Sequence, residues 1–247
     1  MVVKEILAKG ILTKSQIYDY TINPYIGCSH SCRYCYAAFM KRFTNHREPW
    51  GDFVDVKINA VELLGKEIKR KPMRDVWISG VCDPYQPVEE KYQLTRKCLE
   101  ILVINKWPIV IQTKSPLILR DLDIIEQSGN VEVIFSIGTA DDNIRKLFEP
   151  GAPPIKERIN ALQILHDRGI KTTVMIAPML PKNSRLVEAL ADKVDHVRID
   201  RVNYNYANSL YKEHNMDWAK ESSFFNKESN ALKSGFDRLG VSSEIIF

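Results

Sequence analysis

Runs of β-branched and aromatic residues alternate along this chain with segments whose apolar positions recur at helical spacing. The strand-like runs are residues 20–24, 75–79, 108–112, 131–137, 171–176 and 196–199. Several are apolar on both faces, the pattern of parallel strands covered on both sides. Between them, Ile58, Val61, Leu64 and Ile68 share one helical face, and Leu94, Cys98 and Leu102, with Ile101, share another. Ile159, Leu162 and Leu165 make a third stripe, closed by Gly169 as a C-cap, and Leu186, Leu190 and Val194 a fourth. Residues 119–127 and 142–148 are two weaker helical segments. Strand–helix alternation predicts an α/β fold with parallel pairing and right-handed crossovers. Six strands suit either an open doubly wound sheet or an incomplete barrel, and periodicity does not choose between them. After Arg201 the alternation stops and the chain becomes mainly helical, with Tyr204, Tyr206 and Tyr211 at its start. Residues 1–200 are therefore expected to form the core, and 201–247 a helical cover in the same domain.

Polar residues follow nearly every strand: Cys28 onward, Asp83, Lys114, Asp141 and Asp200, with Pro178 after the fifth. The carboxyl ends of parallel strands are where ligands bind, in barrels and open sheets alike. Composition agrees with a folded enzyme-sized domain: 247 residues, 45% hydrophobic and 27% charged. No apolar run is long enough to span a bilayer, and the mixed, charged start has no signal-peptide core, so a cytoplasmic location is expected. The net charge of +4 is too mild to demand a nucleic-acid partner. It is uneven, however. Residues 1–74 carry 13 Lys and Arg against 7 Asp and Glu, whereas residues 201–247 are balanced at six against six. A basic rim near Cys28 would suit a phosphate-bearing substrate, and ordinary surface lysines would give the same count.

The five cysteines are odd in number, three clustered and two isolated, which is no disulfide framework. Cys28, Cys32 and Cys35 lie in GCSHSCRYCYA at C-x3-C-x2-C spacing with no fourth cysteine nearby. Structural zinc closes four ligands and needs a second pair, and neither His30 nor His46 has a partner at the required spacing. An iron–sulfur cluster held by three thiolates would keep one iron open. Cys98 falls on an apolar helical face with Leu94 and Leu102 and is expected in the core.

With Tyr34 just before the last cysteine, this stretch resembles the radical S-adenosylmethionine superfamily. TINPYIGCSHSCRYCYA, SGVCDPYQPVE, LTRKCLEIL, IQTKSPLILRDLD and FSIGTADD, in this order, are similar to the spore photoproduct lyase-related family known as DNA repair photolyases. Weaker likeness at MIAPMLP and the sixth strand carries the resemblance to about residue 200. It implies a partial (β/α)6 barrel of TIM-like type. It implies a 4Fe-4S cluster on Cys28, Cys32 and Cys35 whose open iron binds S-adenosylmethionine. An electron from the cluster would cleave that cofactor to methionine and a 5′-deoxyadenosyl radical, which abstracts a substrate hydrogen. A reductant such as flavodoxin or ferredoxin is then a partner. For the cofactor's own groups, the resemblance points to Lys114 for the carboxylate and to Ser79 and Gly80 for the amine. The usual two-glycine-and-glutamate form is absent at Ser79 and Gly80. Ser136, Thr139 and Asp141 are candidates for the ribose hydroxyls, although Asp141 or Asp142 could equally cap the following helix. Tyr34 would pack on the adenine or beside the cluster, and MIAPMLP, around Met179, would offer backbone to the adenine.

Spore photoproduct lyases use a cysteine after the second strand as hydrogen donor. Cys82 falls there, so Cys82 and the adjacent Asp83 are the catalytic candidates, with Cys82 as a small strand-end residue the alternative. Tyr36, Tyr85 and Tyr92 are further hydrogen-transfer candidates for which ordinary packing is the simpler use. The substrate implied by the resemblance is damaged or modified nucleic acid. A peptide, an RNA or a small metabolite is the alternative for the same chemistry, and a non-catalytic metal-stabilised binding module is the alternative to an enzyme. The run before Cys28 is shorter than in spore photoproduct lyases, and residues 201–247 show no basic stripe, which weakens the DNA reading.

Overall fold

The computed structural model describes residues 1–247, which divide into two compact units. The first comprises residues 1–30 and 37–133, and the second residues 31–36 and 134–247.

In the first unit the strands are β1 (Val2–Ile6), β2 (Thr13–Lys14), β3 (Tyr20–Ile22), β4 (Tyr25–Ile26), β5 (Phe53–Lys57), β6 (Val76–Ile78), β7 (Ile109–Thr113) and the first half of β8 (Val131–Ser136). Its helices are α1 (Ala60–Glu67), α2 (Val88–Tyr92), α3 (Leu94–Ile104) and α4 (Leu122–Ile125). β3, β6 and β7 pair in parallel, with β2 antiparallel at the edge and β8 next beyond β7. Ile22, Ile78 and Ile111 stand in register across these strands and are fully buried. That row is the hydrophobic seam expected where both faces of a parallel sheet are covered. β3 ends at Ile22, before the expected residue 24, because Pro24 has no N–H to give a ladder. The chain then turns into β4, which pairs antiparallel with β5, while β1 pairs parallel with β5. This small second sheet lay outside the six expected strands. Its β1 exposes charged residues, and its β5 buries Asp55, whose carboxylate is matched by His46 at 2.8 Å. Both features mask the strand pattern. Leu64 of α1 and Leu94, Cys98 and Leu102 of α3 are buried as expected, whereas Ile58 precedes α1 and is exposed.

The second unit continues from β8 through α5 (Asp142–Phe148), α6 (Ile155–Asp167), β9 (Lys171–Ile176), α7 (Leu186–Leu190) and β10 (His196–Ile199). It ends with α8 (Asn208–Glu213), α9 (Ser222–Arg238) and β11 (Ser242–Ile245). The strand order is β8-β9-β10-β11, with β9, β10 and β11 mutually parallel. β11 is four residues with two exposed serine and glutamate positions, too short and polar to stand out in a helical segment. Residues after 201 also supply core: Ala207, Tyr211, Met216 and Ala219 pack with Ile144, Phe148 and Leu180. β2 and β11 are the last strands of the order in their respective units. No helix is long and apolar enough to cross a membrane.

Candidate active site

Gly27 sets the entry to the cysteine loop. Its φ is +90°, and a Cβ there would lie 2.3 Å from the Phe53 carbonyl oxygen, so only glycine fits. Gln86, fully buried, brackets the next residue on both sides. Its amide nitrogen donates to the Gly27 carbonyl at 3.1 Å, and its amide oxygen accepts from the Ser29 N–H at 3.0 Å. Cys28 is thereby held from both flanks. The loop carrying Gln86 is itself braced by Asp83, which accepts from the Tyr85 N–H, the Thr113 hydroxyl and the Lys114 N–H. The His30 ring lies 3.4 Å away. Burial alone would push the Asp83 carboxyl up; His30 and the donors of Lys114 and Thr113 outweigh it and hold it at about 2. With its oxygens so engaged, Asp83 ties the DPYQP loop to the end of β7 and fixes the backbone of Lys114.

Asn23 is the hub of a second cluster in the same unit. Its side-chain oxygen accepts from the Ser79 hydroxyl at 2.6 Å and the Val81 N–H at 3.0 Å, and its backbone carbonyl accepts from the Lys57 ammonium at 2.8 Å. Ser79 Oγ is also 2.9 Å from Cys82 Sγ. A serine has one O–H, and Asn23 takes it, so the Cys82 contact is an S–H donated to Ser79. Burial pushes the Cys82 thiol up to about 12, against the opposing pull of Ser79 and Lys57. Cys82 is thus a protonated thiol at neutral pH, with its hydrogen held by a defined acceptor. Cys98 is also pushed to about 12 by burial, but it sits fully inside the core. Gly80 lies against the Trp77 ring, 2.9 Å from where a Cβ would be.

In the second unit, Tyr34 donates its hydroxyl to Glu149. Burial and that carboxylate raise its pKa well above the ordinary phenol value, so it stays a donor. At the end of β8, the Ser136 carbonyl accepts from Arg158 at 3.1 Å. Thr139 donates to the Pro181 carbonyl at 2.7 Å and accepts from the Asp141 N–H. Asp141 caps α5 through the N–H groups of Asn143 and Ile144 and pairs with Lys182 at 3.0 Å. The capping use weighed for Asp141 is therefore present. Met179 is fully buried, its N–H bonded to the Asp200 carbonyl. A Cβ on Gly138 would meet the Pro178 carbonyl at 2.4 Å, so the β8 end and the MIAPMLP loop approach through glycine.

Cys28 is buried and Cys32 and Cys35 are half-buried, and three thiols at this spacing fit an iron–sulfur cluster, whose usual ligands are cysteine thiolates. No three His, Cys, Asp or Glu side chains already stand close enough to hold a metal ion. A recess of about 490 Å³ lined by Lys14, Tyr18, Asp19, Arg74 and Asp75 lies at the entry to β3 and β6. That is the wrong end of the strands for this chemistry.

The description of the Radical SAM superfamily matches residues 22–194. The chain belongs to the radical SAM superfamily. A relative, the uncharacterized protein MJ0683 of Methanocaldococcus jannaschii, is 39% identical over 170 residues, covering 68% of this chain and 63% of that one. The chain spans between 56% and 63% of the length of the first curated relatives it matches. Among solved structures, spore photoproduct lyase complexed with dinucleoside spore photoproduct has a TM-score of 0.75 at 14% identity, covering 98% of this chain and 81% of that one. A variant of that protein with bound AdoMet and dinucleoside spore photoproduct gives 0.70 at 14% identity, with 99% and 81% covered. At such identities the likeness is one of fold, and it agrees with the α/β partial barrel that the resemblance implied.

Several residues of this radical SAM chain that build the site were not singled out from the sequence. Asn23 and Gln86 are polar residues in loops rich in proline, Lys57 ends an unexpected strand, and Arg158 and Glu149 are charges with no local motif around them. The stripe expected on α6 was Ile159, Leu162 and Leu165; the buried face instead runs through Ile155, Arg158, Leu162 and Leu165, with Ile159 only half-buried. The Asp83 brace predicts an acid dependence. A carboxyl held below its unfolded value adds stability above about pH 4 and loses it as the pH falls through about 2. Asp83→Asn is expected to cost about 2 kcal/mol at pH 7 and progressively less below pH 4. Urea unfolding of both proteins at pH 7 and pH 2.5 checks it; an undiminished difference at the lower pH would contradict the brace.

Proposed function

We propose that this chain is a radical SAM enzyme that holds a 4Fe-4S cluster on Cys28, Cys32 and Cys35, binds S-adenosylmethionine, and abstracts hydrogen from a nucleic-acid substrate. The observation that carries the reading is the C-x3-C-x2-C run of cysteines, with Tyr34 before its last one, inside the region matched to the family. When bound, the cluster and cofactor together supply the reducing electron and the abstracting radical; the electron comes from a reductant such as flavodoxin or ferredoxin. The chain's own residues do the rest. Gln86 presents Cys28 by fixing both neighbouring peptides. Asp83 fixes the backbone of Lys114, whose ammonium would hold the cofactor carboxylate. Because the Ser79 hydroxyl is committed to Asn23, Ser79 and Gly80 would hold the cofactor amine through backbone rather than through that hydroxyl. Ser136, Thr139 and Asp141 mark the strand end assigned to the ribose.

Cys82 is suited to return a hydrogen atom to a substrate radical, because its S–H is intact at neutral pH and pointed by Ser79. Nucleic acid as the substrate draws support from the fold shared with a protein solved with a dinucleoside photoproduct. A damaged base in a duplex would have to leave the stack to be reached. The test is anaerobic reconstitution followed by reduction with S-adenosylmethionine and lesion-bearing oligonucleotides. Four iron and four sulfide per chain and release of 5′-deoxyadenosine are expected, whereas stoichiometric zinc without cleavage would sink the assignment. Cys82→Ala should still cleave the cofactor while changing the product, and an unchanged product removes Cys82 from the chemistry.

A further inference from the structure

Arg158 is the largest fully buried side chain in the protein. Its guanidinium pairs with Glu149, itself 2% exposed, at 2.6 Å. It also donates to the carbonyls of Pro153 at 2.9 Å and Ser136 at 3.1 Å. Glu149 in turn accepts the Tyr34 hydroxyl. Next to it, the Arg33 N–H donates to the Phe148 carbonyl at 2.8 Å, and the Cys35 N–H donates to the Cys32 carbonyl at 3.1 Å. The Tyr34 ring packs against the cluster of Ile144, Phe148 and Leu180. Residues 31–36 are therefore held by a backbone bond to the last residue of α5, a ring packed against Ile144, Phe148 and Leu180, and a buried charge-assisted hydrogen bond to Glu149 just after α5. Burying an ion pair is costly, and this one brings no apolar gain that methionine and leucine would not supply. Its geometry does something those residues could not: it gives the Tyr34 hydroxyl a fixed, charged acceptor between Cys32 and Cys35.

We infer that Tyr34, Glu149 and Arg158 are positioning residues that preset the second half of the cysteine loop before iron enters, and that they link it to the end of β8 at Ser136. The inference rests on the proposed cluster site. Arg158 pairs with Glu149 at 2.6 Å, so the carboxylate that accepts the Tyr34 hydroxyl is itself fixed in place. Presetting matters because ligands that are already arranged pay less ordering entropy when the metal group binds.

The test uses apo-protein, so it stands apart from whether a cluster binds. Wild type, Tyr34→Phe and Glu149→Gln are labelled anaerobically with a thiol-exchange reagent, and the rates at Cys28, Cys32 and Cys35 are resolved by peptide mass spectrometry. Tyr34→Phe keeps the ring and Glu149→Gln the shape, and circular dichroism confirms that each is folded. Each is expected to raise the rates at Cys32 and Cys35 about tenfold relative to Cys28, the scale of one lost charge-assisted bond. The double variant should be no faster than the faster single one, since both break the same chain. Rates within twofold of wild type, or equal acceleration at Cys28, overturn the inference. In reconstituted protein, the electron paramagnetic resonance spectrum of the reduced cluster should differ between wild type and Tyr34→Phe, and identical spectra overturn it too. If wild type takes up no cluster, the cofactor reading fails while the labelling result still decides the positioning role.

Discussion

Alanine in place of Cys28, Cys32 or Cys35 is expected to leave a folded protein that retains less than about a tenth of the wild-type iron and no cofactor cleavage, because two thiolates cannot hold a cluster that ordinarily takes four. The three positions should differ in what else they disturb. Cys28 is buried and clamped by Gln86, so its truncation removes a packed sulfur and costs about 1 kcal/mol of stability. Cys32 and Cys35 are half-buried, and their truncation should leave stability near that of wild type. Cys98→Ala is the necessary contrast. That thiol is fully enclosed on α3, so its loss should destabilise the core while iron content stays whole. Iron and sulfide analysis beside urea unfolding reads both quantities for all four variants. A Cys32→Ala protein that still loads four iron would show that the spacing in GCSHSCRYCYA does not define the ligand set.

The parts of this molecule that were legible in the sequence are those where one physical demand dominates a run of residues. Strands β3 and β6 to β10 must be apolar to lie in a covered parallel sheet, and residues 131–137 and 171–176 announce that directly. Cys98 was placed in the core by its spacing from Leu94 and Leu102 alone. Strand β5 was not legible, because FVDVK buries an aspartate whose partner, His46, is nine residues away in sequence and is stacked on Phe53. The cysteine motif was visible because its spacing is local. What holds the motif was not, since Gln86 reaches Gly27 across 59 positions and Tyr34 reaches Glu149 across 115. Asp83 and Asp141 were recognised as unusual polar residues at strand ends, yet their hydrogen bonds are those of a brace and a cap. A carboxylate that organises a loop and one that meets a substrate have the same signature in a single sequence, and only their donors separate them.

Arg158→Met should be the most destabilising single change in the second unit, costing about 3–5 kcal/mol, because it leaves the buried Glu149 carboxylate without its counter-charge. The guanidinium's bonds to Ser136 and Pro153 vanish as well, leaving those carbonyls short of a donor. Adding Glu149→Leu should recover most of that loss, since two apolar residues of similar volume often match or exceed a buried ion pair. Recovery cannot extend to the cysteine loop. With leucine at position 149 the Tyr34 hydroxyl has no acceptor there, so residues 31–36 lose the bond that orders them even as the core around them regains stability. Urea unfolding of wild type, the single and the double variant reads the first quantity, and the labelling rates of Cys32 and Cys35 read the second. A double variant as unstable as Arg158→Met would mean that the ion pair serves packing in a way apolar side chains cannot imitate. A stable double variant with a loosened loop would separate what the pair costs the fold from what it gives the site.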